Sequence, residues 1–97
     1  MTSYLVTYDV GDPRALRRTG RLLSAFGTRV QKSVFECVLT PGQRAHLLRR
    51  LEAERAAAAE GTVYRVRCYA LGRPGSVRLE LVGDGEGPVV PGVTTIV

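Results

Sequence analysis

The sequence predicts an α+β sandwich of strand–helix–strand–strand–helix–strand order, with two helices covering one face of an antiparallel sheet. Two kinds of observation lead there. Three stretches, Tyr4–Val10, Thr28–Leu39 and Thr62–Leu71, alternate their side chains with the period of two that a pleated strand imposes. Between them stand two strong helix starts, Asp12-Pro13 and Thr40-Pro41-Gly42-Gln43. A chain of 97 residues, 44% apolar and 24% charged, is one domain with enough core for two layers.

The first strand sets one series, Tyr4, Val6, Tyr8 and Val10, against another, Leu5, Thr7 and Asp9. It ends in a carboxylate, followed by the turn Gly11-Asp12-Pro13. Asp12 can cap the exposed N–H groups of a helix, and proline at the first helical position sacrifices no bond. That helix is expected to reach about Ala25, with Leu16, Gly20, Leu22, Leu23 and Phe26 on its apolar side and Gly27 as its terminator. Arg14, Arg17, Arg18 and Arg21 fall at i, i+3, i+4 and i+7 and share one stripe. The stripe is either a solvated helix face or a seat for something anionic. With no acid at i±4 to relieve the repulsion, the second reading gains weight.

Thr28–Leu39 is long for one strand, and Gln31-Lys32-Ser33 could hold a bend, a bulge or the tip of a hairpin. The second helix begins in a capping box, turns Ala45, Leu47, Leu48, Leu51 and Ala58 inward and keeps Arg44, Arg49, Arg50, Glu52 and Arg55 wet. It is expected to fray through Ala56–Glu60 to Gly61. In the next strand Tyr64, Val66, Cys68 and Ala70 take one face, and Val63, Arg65, Arg67 and Tyr69 the other. The core is thus expected over residues 1–72 and a C-terminal extension over 73–97: a turn at Gly72–Gly75, a strand at Ser76–Gly83, a linker at Asp84–Gly92 and a strand-like Val93–Val97 that wants a partner edge. This is a ferredoxin-like arrangement with one sheet face uncovered. Leu5, Phe35 and Tyr69 are expected on that face beside Thr7 and Asp9, too apolar for water, so a homodimer is inferred.

Net charge is +5, and of fourteen basic residues only Lys32 is a lysine. Between Arg14 and Arg55 ten basic residues face three acids, Glu36, Glu52 and Glu54; from Gly72 onward the balance reverses to two against three. The excess belongs to the helices and second strand, and a nucleic-acid partner follows as an expectation. Guanidinium groups suit bidentate phosphate contacts. Cys37 and Cys68 lack metal-ligand spacing, and a single histidine, His46, argues against a zinc site; His46 reads as structural or surface. No apolar run approaches the roughly 18 residues of a membrane span, and the chain begins directly with a strand, so a cytoplasmic protein is expected.

At this point the residues resemble a known group. Tyr8-Asp9 closing strand one, the basic first helix, the string Gly27-x-Arg29-Val30-Gln31-x-Ser33-Val34-Phe35-Glu36 followed by Leu39-Thr40, and Val66-Arg67-x-Tyr69-x-Leu71 are similar to the Cas-two (Cas2) family of small CRISPR-associated adaptation proteins. The resemblance runs from Tyr4 to Leu71; Lys32 stands where the family often has an aromatic. It implies a ferredoxin-like homodimer whose final strand can cross to the partner's sheet. It implies a role in spacer acquisition, bridging the Cas-one integrase on double-stranded DNA, and a magnesium-dependent endonuclease activity on RNA or DNA. In that reading Asp9 is the catalytic and metal-binding residue, paired with its copy on the two-fold axis. Arg14, Arg17, Arg18, Arg21 and Arg29 bind nucleic acid, with Tyr8, Ser33 and Phe35 in support.

Magnesium takes octahedral oxygen ligands and often only one or two protein carboxylates, so two Asp9 side chains would supply the minimum. Such a pair would titrate as a coupled unit. One carboxylate per chain, with Glu36 the sole further acid, describes a weak nuclease. Phosphate neutralisation by the arginine stripe asks for less and gives salt-sensitive, sequence-independent binding. Two alternatives stay open: a VapD-like toxin ribonuclease, which resembles this group in fold and in its strand-one aspartate, and a non-catalytic ferredoxin-like module for RNA or a small ligand.

Overall fold

A computed structural model describes residues 1–71, 77–83 and 93–96, with 77–81 and 93–96 as backbone only. The elements run β1 (Thr2–Val10), α1 (Pro13–Ser24), β2 (Gly27–Gln31), β3 (Val34–Leu39), α2 (Pro41–Ala57), β4 (Tyr64–Leu71), β5 (Val77–Gly83) and β6 (Val93–Ile96). They form one sheet of order β2-β3-β1-β4-β5-β6, antiparallel except for the last pair. The βαββαβ order is as predicted, and the ferredoxin-like core is complete by β4. The expected turn at Gly72–Gly75 and linker at Asp84–Gly92 lie outside the described residues. Within the chain β6 runs parallel to β5, Leu79 opposite Thr95.

Each helix starts as its sequence requires. The Asp12 carboxylate accepts from the Arg14 N–H at 3.0 Å and also from the Ala59 N–H at 3.2 Å, so one side chain ties the start of α1 to the exit of α2. Thr40 and Gln43 form the reciprocal capping box, at 3.2 and 2.9 Å. Gly27 does not terminate α1: it opens β2, where a Cβ would overlap the Glu36 carbonyl oxygen and lie 2.5 Å from the Cys37 sulfur. The close pairing of β2 on β3, not a left-handed turn, is what demands glycine there. Gly61, at φ +80, takes the left-handed turn after α2.

Thr28–Leu39 resolves into a hairpin. Gln31 pairs with Val34 across the tip Lys32-Ser33, the register slips between Arg29 and Gln31, and Ser33 sits at φ +62. The hairpin decides which way β3 faces. Val6 lies opposite Phe35 and Tyr4 opposite Cys37, so Phe35, Cys37 and Leu39 join Tyr4, Val6, Tyr8 and Val10 on the helix side. Phe35 is therefore a core residue, 1% exposed, and not part of the uncovered face. The alternation itself holds; its phase across the two-residue tip is what differs from expectation. Leu22, Leu23, Leu47 and Leu51 close the core from above; each buried leucine contributes roughly 1.5–3 kcal/mol. Thr19 is buried among them and shares a 2.7 Å hydrogen bond with the Tyr64 hydroxyl, fastening α1 to β4.

The opposite face carries Leu5, Thr7 and Asp9 from β1, Val34, Glu36 and Val38 from β3, and Arg65, Arg67, Tyr69 and Leu71 from β4. Val38 and Leu71 are 51% and 40% exposed, so no layer of this chain covers them among the described residues. Among those residues, too, no helix is long and apolar enough to cross a membrane.

Candidate functional site at the end of the first strand

Two backbone bonds hold the segment around Asp9. The Tyr8 N–H donates to the Ser33 carbonyl at 3.1 Å, and the Gly11 N–H donates to the Val63 carbonyl at 2.9 Å. Asp9 is thereby exposed at the end of a rigid strand, and its side chain faces away from the helices. Its cross-strand neighbour is Arg65, while Thr7 stands opposite Arg67 and Val34. These residues, with Lys32 and Ser33, line a recess of about 350 Å³. The recess holds one carboxylate and three cations, so it attracts a phosphate more strongly than it repels one.

A second recess, about 400 Å³, opens on the helix side of the same hairpin tip. Arg17, Arg21, Arg29 and Lys32 line it together with the hydroxyl-bearing Tyr8 and Ser33. Arg29 is aimed rather than loose: its guanidinium carbon lies 4.8 Å from the centre of the Phe35 ring, which itself packs on Tyr8 at 6.1 Å. Gly20 makes room for this group, since a Cβ there would stand 3.0 Å from the Tyr8 hydroxyl and 3.2 Å from Arg29 Nη2.

The structure thus brings together Tyr8, Asp9 and Ser33 on one side of the tip, and Tyr8, Arg17, Arg21, Arg29 and Ser33 on the other. Phe35 acts from beneath, as the platform for Arg29. Arg14 is exposed at the start of α1 and lines neither recess. Arg18 departs from the arginine stripe: its Nε reaches Glu54 of α2 at 2.8 Å, so the stripe does have an acid, supplied across the helix pair rather than along α1. His46 is exposed and packs beside Phe26 at 5.9 Å, in keeping with a surface role. Three further contributors are not apparent from local sequence. Arg65 and Arg67 share the face of Asp9 once β1 and β4 are paired antiparallel, and Lys32 lines both recesses because the tip falls on it.

Among the described residues no three His, Cys, Asp or Glu side chains converge into a metal-binding group. Within one chain Asp9 is the only carboxylate among the described residues at the recess. A hard cation that keeps most of its waters fits such a donor set when a second copy adds its own Asp9, and a fully protein-caged metal does not fit it.

Fold and site together define a class: ferredoxin-like proteins with a single strand-end aspartate set among guanidinium groups. The sequence model described as "CRISPR associated protein Cas2" matches residues 1–76. A protein named CRISPR-associated endoribonuclease Cas2 from Nitratidesulfovibrio vulgaris (strain Hildenborough) is 38% identical over 96 residues, covering 89% of this chain and 90% of that one. One of the same name from Thermus thermophilus is 49% identical over 49 residues, 50% of this chain and 52% of its own. The crystal structure of Streptococcus pyogenes Cas2 at pH 6.5 superposes with a TM-score of 0.62 at 38% identity, covering 74% of this chain and 88% of that one. The chain belongs to the Cas2 family of CRISPR-associated proteins.

Proposed function

We propose that the chain acts in CRISPR spacer acquisition as a homodimer that binds double-stranded DNA, bridges the Cas-one integrase, and carries a magnesium-dependent endonuclease activity on RNA or DNA. The observation that carries the nuclease part is the recess at Asp9, where one exposed carboxylate is ringed by Lys32, Arg65 and Arg67. Its relatives bear the name endoribonuclease, which supports the same chemistry.

Pairing of the uncovered faces would remove Val38 and Leu71 from water and carry the two Asp9 carboxylates toward one axis. Magnesium, when bound there, supplies a Lewis acid for the phosphodiester and a more acidic water. The chain's own residues do the rest. Asp9 holds the cation; Arg65 and Arg67 seat the phosphate and balance the charge that grows on it during attack. Lys32 adds a third positive group at the mouth. On the DNA side, Arg14, Arg17, Arg21 and Arg29 neutralise phosphates without reading bases, and a two-fold dimer presents that set twice. Arg18 contributes less, being already engaged by Glu54.

The test is incubation of the purified chain with labelled single-stranded RNA and DNA, in magnesium and in chelator. Cleavage that needs magnesium is the expected result. Equal cleavage in chelator, or none of either polymer in magnesium, contradicts the nuclease reading, while gel-shift binding of a duplex reports separately on the scaffold role.

A further inference from the structure

The two recesses are neighbours, and they share Tyr8, Lys32 and Ser33. What divides them is a hairpin tip two residues long, Lys32-Ser33, exposed at the first residue and held at the second through its carbonyl. On the helix side, the lining residues include three arginines and Lys32 and, among the described residues, no acid. On the Asp9 side they include Lys32 and two arginines around one carboxylate. The recesses measure about 350 and 400 Å³. Lys32 is thus the one cation common to both.

Resting on the nuclease reading above, we propose that one strand of nucleic acid crosses the Lys32-Ser33 tip, with one phosphate held by Arg17, Arg21 and Arg29 and a following phosphate at Asp9. Lys32 contacts the phosphate between them. It is a positioning residue: it sets which bond of the strand meets Asp9. A single flexible strand can bend over so narrow a ridge, and an ammonium on a four-carbon stem can follow it to either side. Arg29 is the fixed end of this path, because its guanidinium already lies over the Phe35 ring. The tip is itself rigid. Ser33 holds a left-handed φ, and its carbonyl is bonded to the strand that carries Asp9, so tip and carboxylate move together.

The experiment measures binding of a short labelled single-stranded RNA, without divalent metal, across a series of salt concentrations. Wild type, Lys32→Ala, Lys32→Arg, Arg29→Ala and Arg49→Ala are compared; Arg49 is exposed on α2 and lines neither recess. Each lost phosphate contact on a single strand lowers the slope of log affinity against log salt by about 0.7. Lys32→Ala and Arg29→Ala are each expected to lose about that much, Lys32→Arg to recover it, and Arg49→Ala to match wild type, with the two Lys32 variants and Arg49→Ala melting at the wild-type temperature. In magnesium, Lys32→Ala is further expected to scatter the cut positions on the same RNA. A wild-type slope in Lys32→Ala, or an equal loss in Arg49→Ala, overturns the proposed path while leaving the nuclease reading intact. Absence of salt-sensitive binding by wild type overturns the reading beneath it, and the path with it.

Discussion

Thr19→Val is the most informative single change outside the site, because it loosens the helix that carries Arg17 and Arg21 from the strand that carries Arg65. The Thr19–Tyr64 hydrogen bond is 2.7 Å long, and the two residues are 0% and 1% exposed. Removing the threonine hydroxyl leaves the Tyr64 O–H buried beside a methyl group. A stranded buried group costs about 1–3 kcal/mol, so a loss near 2 kcal/mol is expected. For a domain of this size that lowers the melting temperature by roughly 8–16 °C. Tyr64→Phe should cost less, about 1 kcal/mol, because a helical threonine hydroxyl can turn to the carbonyl four residues back. The double variant removes both partners, strands no hydroxyl, and should cost less than Thr19→Val alone. Thermal or urea melts of the four proteins give the coupling. If the single losses simply add, to within about 0.5 kcal/mol, the bond does not fasten α1 to β4 and the reasoning fails.

Further outcomes follow from the same geometry. Gly27→Ala drives a methyl into the Glu36 carbonyl and the Cys37 sulfur and should destabilise by about 3 kcal/mol, the upper part of the overpacking range, as read by denaturant melts. Arg18→Ala should lower the salt slope of RNA binding less than Arg17→Ala, since Arg18 is held by Glu54 at 2.8 Å. Alkaline pH should weaken the fold. Burial pushes the Tyr64 phenol above its ordinary 10.0 and the Cys37 thiol above its ordinary 9.0. The unfolded chain releases those protons first, so stability present below pH 9 is lost as pH rises past both ordinary values, and Tyr64→Phe removes the phenol's part. At the acid end the Ala59 N–H, then that of Arg14, holds Asp12 below 3.8, so its contribution persists above that pH and disappears as pH falls through the lowered value. Melting temperature against pH checks both ends.

The architecture is legible in the sequence wherever a local rule is strong. Asp12-Pro13 and Thr40-Pro41-Gly42-Gln43 start helices at the residues expected, because capping is settled within four residues. The alternation of Tyr64 to Ala70 likewise sorts β4 correctly. What stays hidden depends on long-range pairing. Phe35 leaves the uncovered face expected for it because its phase relative to Val6 is set by the hairpin tip, not by its own neighbours. Arg18 looks unrelieved in the sequence because Glu54 lies thirty-six positions away, on another helix. Arg65 and Arg67 come beside Asp9 only when β4 is laid antiparallel on β1, and Lys32 becomes central only when the tip is located. Asp9, Arg29 and Ser33 are recognisable from the family-like string, but the division of the site into two recesses is not.

Asp9→Asn tests the central claim most directly. The substitution keeps the size of an exposed strand-end side chain and removes only its charge, so folding and the salt slope of RNA binding should remain as in wild type. Magnesium-dependent cleavage of the same RNA should fall to background. If the variant instead cuts at the wild-type rate, the strand-end carboxylate is not the catalytic group and the account of this site is wrong.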